Sequence, residues 1–203
     1  MKITDITPQK HNKNRVSVFV DGKYSFSLDS ADMVRLKVKT GNEITESEIE
    51  ILKKECNLSK AMSRLMQVIN RKAASKKMLS DDLYKHGFDR EIIDIAIDEF
   101  ERLGYIDDEQ FALEYAKAAY SFKHHGKIRI VSDLVYKGVA RDIAQNVVDD
   151  LDEDESESIE EIIRQRFMDV DFSDYKEKQR VVRYFASRGF NFSDIFAVID
   201  KFR

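Results

Sequence analysis

Three consecutive acids, Asp107-Asp108-Glu109, and two consecutive histidines, His124-His125, are the groupings in this chain best equipped to hold a metal ion. A carboxylate trio of this kind could position Mg²⁺ for phosphodiester cleavage. The surrounding residues support a different role. Gln110 follows Asp107 by three positions, just before Phe111 and Leu113 open an apolar run, which is an acidic variant of a helix capping box. Three acids at a helix start also complement its dipole. Adjacent histidines on a helix point about 100° apart, a poor geometry for sharing a metal, and a helix end accounts for them. The single cysteine, Cys56, precludes an intrachain disulfide and reads as a small core residue in a reducing compartment. No glycine-rich phosphate loop, Gly-x-Ser-x-Gly turn, Cys-x-x-Cys pair or His-Glu-x-x-His helix occurs. The chain therefore reads as a non-enzyme with no catalytic residue, metal or cofactor.

Binding chemistry is the better prospect. Lys76, Lys127 and Lys178 recur 51 residues apart, each near the start of an amphipathic run. A cation there opposes the helix dipole at a cost of about 0.3–1 kcal/mol, so its recurrence suggests an anionic or acidic partner. The alternative is that each lysine stem covers the edge of the core. Arg71, Lys72 and Lys77 cluster with Lys76, Lys123 and Arg129 with Lys127, and Arg180 and Arg183 with Lys178. Lys137 precedes a glycine, as His86 and Arg188 do, where a cation also suits a helix C-terminus. These residues form the candidate partner- or DNA-binding set. Only Tyr120 and Phe122 interleave with the charges, so contact with a phosphate backbone or an acidic protein surface is expected rather than base readout.

The elements that would position this set repeat. Gly87, Gly138 and Gly189 are 51 residues apart and each follows an amphipathic run. The same shift superimposes Leu79, Ile130 and Val181, then Leu83, Leu134 and Phe185, then Phe100, Leu151 and Phe202. A fixed period of this size marks a repeat array whose units bury their apolar faces against one another. The pattern predicts three helices per unit, near 58–73, 76–86 and 89–102, then 109–124, 127–137 and 140–152, then 158–171, 178–188 and 192–202. The segment 170–175 breaks the pattern in the third unit.

Ahead of the array, Val16, Val18 and Val20 alternate, Asp21-Gly22 follows, and Tyr24, Phe26 and Leu28 alternate again. That is the signature of a β-hairpin. Ile3 and Ile6, or Glu43-Ile44, could supply the third strand it needs. A short helix is expected over 30–38, and Thr45 with Glu48 forms a capping box for another. The expected organisation is an α+β module over 1–56 and repeats over 57–104, 105–155 and 156–203. Net charge is −4, with 42% hydrophobic and 35% charged residues and a single proline. The acidic surplus lies toward the C-terminal end, including the run Asp152–Glu155, which reads as a solvated connection. No stretch has signal-peptide or membrane-spanning character, so a cytoplasmic monomer away from membranes is expected.

Three stretches together resemble the RecX family of bacterial regulators of the RecA recombinase. They are Leu103-Gly-Tyr-Ile-Asp-Asp-Glu-Gln-Phe-Ala112, then Gly126-Lys-Ile-Arg-Ile130 with Asp133-Leu134 and Lys137-Gly138-Val139, then Ser75-Lys-Lys-Met-Leu79 with Leu83 and His86-Gly-Phe88. The resemblance implies a mainly α, elongated and curved array of three-helix repeats. It also implies a regulator of recombination, DNA repair and the SOS response that lodges in the groove of RecA nucleoprotein filaments. Strand exchange, ATP hydrolysis and coprotease activity would be inhibited there, with single- or double-stranded DNA as a further contact. A DNA-binding protein acting without RecA is the alternative.

Overall fold

The computed structural model describes residues 1–10, 14–151 and 154–202. It is mainly helical, with ten α-helices and one three-stranded antiparallel sheet among the described residues. The chain divides into two compact units, Met1–Lys72 with Leu79–Tyr105, and Ala73–Met78 with Ile106–Arg203.

In the first unit, β1 (Ile3–Pro8), β2 (Arg15–Val20) and β3 (Lys23–Asp29) lie in sequential order. Asp21 and Gly22 both take positive φ, 49° and 79°, as a two-residue hairpin turn with right-handed twist requires. Ile3–Pro8 supplies the third strand, and Lys2 adds a bridge to Glu43, so both expected candidates contribute. The alternating valines point inward with Phe26 and Leu28 against α2. Helix α1 (Ser30–Arg35) is shorter than expected, because Lys37 turns left-handed at φ 54°.

Helix α2 (Glu46–Ile69) opens on the expected capping box, with the Thr45 side chain accepting from the Glu48 N–H and Glu48 accepting from the Thr45 N–H. Its length differs from expectation. The sequence pattern splits this region near residue 57, but one 24-residue helix runs through. No proline or glycine lies between Glu46 and Ile69, and Ile49, Cys56, Ala61, Leu65 and Val68 keep one buried stripe. The expected boundary at 56/57 therefore falls inside a helix. Helix α3 (Lys76–Lys85) and α4 (Arg90–Arg102) complete this three-helix group, with α4 packed on α2.

The second unit holds α5 (Asp108–Lys123), α6 (Lys127–Tyr136) and α7 (Arg141–Asp149), then α8 (Glu155–Arg166), α9 (Tyr175–Ser187) and α10 (Phe192–Ile199). Each trio encloses its own core, one around Ile130, Leu134 and Val148 and one around Val181, Phe185 and Ile195. Helices α8 and α9 both begin three residues before the expected positions. The cause is local hydrogen bonding: the Asp154 side chain caps the Ser156 N–H at 2.8 Å, and Asp174 caps the Lys176 N–H at 2.8 Å. Asp171 accepts from the Ser173 N–H, and buried Phe172 anchors the break at 170–175. Asp152 and Glu153 of the expected acidic connection lie outside the described residues.

One joint occurs twice in this unit. The Ser75 hydroxyl donates to the Lys137 carbonyl, and the Lys76 N–H donates to Asp108 at 2.7 Å. One period later, the Gly126 N–H donates to the Arg188 carbonyl at 2.8 Å and the Lys127 N–H donates to Glu155 at 2.6 Å. In both places the start of a second helix sits on the glycine turn ending a later second helix, and an acid opening the intervening helix caps it. A Cβ on Gly138 would overlap the Lys77 side chain, and one on Gly189 would overlap the Arg129 backbone. Gly87, at the equivalent turn of the first unit, meets nothing within 4 Å. All three glycines have positive φ, so only the joint separates them. Gly189→Ala should destabilise by about 2–4 kcal/mol and Gly87→Ala by about 1–2 kcal/mol, read from urea midpoints.

Candidate anion-binding site

The residues singled out by charge fall in both units. Arg71 and Lys72 are exposed after α2 in the first unit. Lys76 and Lys77 open α3, and Lys127 opens α6, each half-buried or exposed. The acids at the two joints offset the dipole cost of these lysines, which weakens the case for a partner drawn from position alone. Lys178 is the fourth residue of α9, not its start, because the Asp174 cap brings that helix forward. Its ammonium pairs with Asp200 at 2.9 Å and lies 5.6 Å from the Phe196 ring centre. Arg180 pairs with Glu177 at 2.8 Å, and Arg183 Nε donates to the Gln179 carbonyl.

Lys123, Arg129 and Lys137 are brought together. The organiser is Tyr115, half-buried on α5 and packed against the core of the second trio. The ammonium groups of Lys123 and Lys137 each lie 5.0 Å from the centre of its ring. The Tyr115 hydroxyl donates to Asp133 on α6 at 3.0 Å. Burial first, and this hydrogen bond second, push the phenol up to about 12, so it stays neutral and donating at physiological pH. The same Asp133 oxygen faces His125 Nδ1 at 3.5 Å and Arg129 Nε at 3.9 Å. Arg129 also donates to the Ser187 carbonyl at 3.1 Å, and Arg188 donates to the Lys123 carbonyl at 3.2 Å while lying over Tyr184. Lys123, Lys137 and Arg188 have no carboxylate partner among the described residues. The cluster thus holds four permanent cations around one carboxylate, in a chain whose net charge is −4.

The first unit contains the corresponding pair in different chemistry. Arg64 and Asp82 stand 51 residues before Tyr115 and Asp133, and Arg64 clasps Asp82 through two bonds of 2.7 and 2.9 Å. That guanidinium holds the Asp82 carboxyl below its usual range, against the opposing effect of burial. With tyrosine at the later position, Asp133 receives a neutral donor and turns its remaining charge toward His125 and Arg129. Tyr115, His125, Asp133 and Arg188 were missed as site residues. The equal separation of Arg64–Asp82 and Tyr115–Asp133 was the available signal.

Asp107 and Asp108 serve the backbone. Asp107 accepts from the Glu109 and Gln110 N–H groups, both at 2.9 Å, as expected of a cap. Gln110 does not complete a reciprocal box but donates to Glu114. His124 turns left-handed to end α5 at φ 51°. Tyr120, expected beside the charges, is buried with its hydroxyl at Ser158 and the Asp154 carbonyl, whereas Phe122 and Tyr136 are 84% and 86% exposed.

Comparison with known proteins identifies the architecture. Residues 1–45 match the regulatory protein RecX N-terminal domain, 107–148 the second RecX three-helix domain, and 152–199 the third. The chain belongs to the RecX family. A regulatory protein RecX of Clostridium botulinum is 25% identical over 204 residues, covering 98% of this chain and 95% of its own. Its counterpart in Listeria welshimeri is 32% identical over 150 residues, 74% of this chain and 56% of that protein. This chain thus spans little more than half the length of the Listeria relative. A crystal structure of regulatory protein RecX shares the fold with a TM-score of 0.75 at 20% identity over 98% of both chains. RecX from Lactobacillus salivarius gives 0.63 at 19% identity over 71% of this chain and 96% of its own. The family is regulatory. Among the described residues no helix is long and apolar enough to cross a membrane.

The sign of the Asp82 effect sets a test. A carboxyl depressed on folding contributes stability above its unfolded pKa and loses it as pH falls through the folded value. Asp82→Asn should therefore flatten the acid limb of the stability profile by about 1 kcal/mol, seen as urea midpoints at pH 7 and pH 3 drawing together.

Proposed function

We propose that this protein is a non-enzymatic regulator that binds RecA nucleoprotein filaments and lowers their strand-exchange, ATPase and coprotease activities. The observation that carries the reading is the group of cations without carboxylate partners around Tyr115, in an otherwise acidic chain of the RecX family. A nucleoprotein filament offers phosphates and acidic protein surface at close intervals, and such cations would be favoured against it. Lys123, Arg129 and Lys137 are assigned the central contact. Lys76, Lys77 and Lys127 are assigned flanking ones, with Arg71, Lys72, Lys178, Arg180 and Arg183 more peripheral. The protein is taken to act in the cytoplasm as a monomer. The test is RecA ATPase on single-stranded DNA, titrated with wild type and with a Lys123→Glu/Arg129→Glu/Lys137→Glu variant. The wild type should inhibit, and the variant should need about tenfold more protein at about 0.1 M salt. Equal inhibition by both removes the assignment.

A second reading, a DNA-binding protein acting without RecA, is favoured by the exposure of Phe122 and Tyr136 beside Lys123 and Lys137. Bases could stack on those rings. Affinity for bare and RecA-coated DNA across salt separates the two. Tight binding to bare DNA with a steep salt slope and no gain from RecA supports this second reading.

A further inference from the structure

Around Asp133 one hydrogen bond is conspicuously unmade. His125 Nδ1 is buried and has no hydrogen-bond partner, although the Asp133 carboxylate lies 3.5 Å away. The groups facing the imidazole are Asp133 and Arg129 from α6, Lys123 from the end of α5 and Arg188 from the end of α9. Burial, and then Arg129, hold the imidazole below its ordinary pKa, with Lys123 and Arg188 acting the same way and Asp133 opposing. Neutral His125 leaves the outer charge of Asp133 to Arg129, 3.9 Å away. A protonated imidazole would be the nearer and better partner for Asp133, and Arg129 would then be free to meet another anion.

We propose that protonation of His125 transfers Asp133 from Arg129 to the imidazole, so that Arg129, Lys123 and Arg188 take up a phosphate group in a proton-linked way. The linkage works in both directions. A phosphate among these cations offsets the positive potential that Arg129, Lys123 and Arg188 add to the effect of burial on His125, so binding favours uptake of a proton and lower pH tightens binding. The inference rests on reading these cations as anion-facing, and adds which group regulates them. Lys137 remains at the Tyr115 ring in either state.

The experiment uses the full chain and two polyanions whose charge does not change over the range, oligothymidylate and dextran sulfate. Affinity is measured at about pH 5.5 and about pH 8, and His125 is titrated by NMR with and without each probe. Wild type should bind about five- to tenfold more tightly at the lower pH, with the His125 titration moved upward by the probe. Tightening with both probes assigns a site for any oxyanion, and with oligothymidylate alone a phosphodiester site. Equal affinity at the two pH values with both probes overturns the proposal. Asp133→Asn keeps an acceptor for Tyr115 but releases Arg129 at every pH, so its affinity at pH 8 should rise toward the low-pH value of wild type. A variant that binds no better than wild type at pH 8 also overturns it. Filament inhibition with an unmoved His125 titration defeats this inference and leaves the filament reading standing. Proton-linked polyanion binding without filament inhibition does the reverse.

Discussion

The second unit depends on how the first turn of one helix is satisfied by another part of the chain. An α-helix begins with N–H groups that have no internal acceptor. At Lys76 and Lys127 the acceptor is a carboxylate opening a different helix, Asp108 or Glu155, and the neighbouring residue bonds to a carbonyl at a glycine turn. The arrangement needs a glycine on one side and a small residue, Ser75 or Gly126, on the other. It explains why a lysine can open these helices: an acid stands in front of the amide, and the field that would repel the ammonium is locally reversed. It also places Glu155 in a buried position, where desolvation and the nearby Asp194 raise its pKa while the Lys127 amide works against them.

That joint also fixes the candidate site. Arg129 lies on the turn of α6 seated against Gly189, and Arg188 is the residue before that glycine. Their guanidinium groups are therefore supplied from two trios and held by main-chain contacts. Tyr115 and Asp133 complete the site from within one trio. Backbone packing sets the distances, and the side chains add charge. A polar cluster built this way is preorganised, so less conformational entropy is lost when an anion arrives.

Much of this was legible in the sequence because the signals were local. Asp21-Gly22 between alternating valines and aromatics identified the hairpin, Thr45 with Glu48 marked the start of α2, and the 51-residue glycine period exposed the trios. The misplaced features came from extending the period too far. The repeat phase asks for a boundary at residue 57, although no residue nearby can stop a helix and α2 runs through it. Asp174 moved the start of α9 because a short-range cap outweighed the inherited register. The Tyr115 cluster stays hidden because the period is matched where residue type recurs, at apolar positions, glycines and rows of cations, and position 115 breaks type with position 64. Arg64 and Tyr115 occupy equivalent places and share no chemistry beyond donating to an aspartate, so only geometry relates them.

A contact in which the front of one helix seats on the back of another is not self-limiting. Each copy of the motif offers a donor at one side and a receptor at the other, which is how a chain of molecules could grow without closing. The receptor turn at Gly87 is open. The matching donor would be the start of α9, which is built differently. Asp174 already caps the Lys176 N–H, and the helix begins three residues earlier in the repeat than α3 and α6 do. With a first-turn amide of α9 satisfied from within, the joint serves as an internal fastening of the second unit.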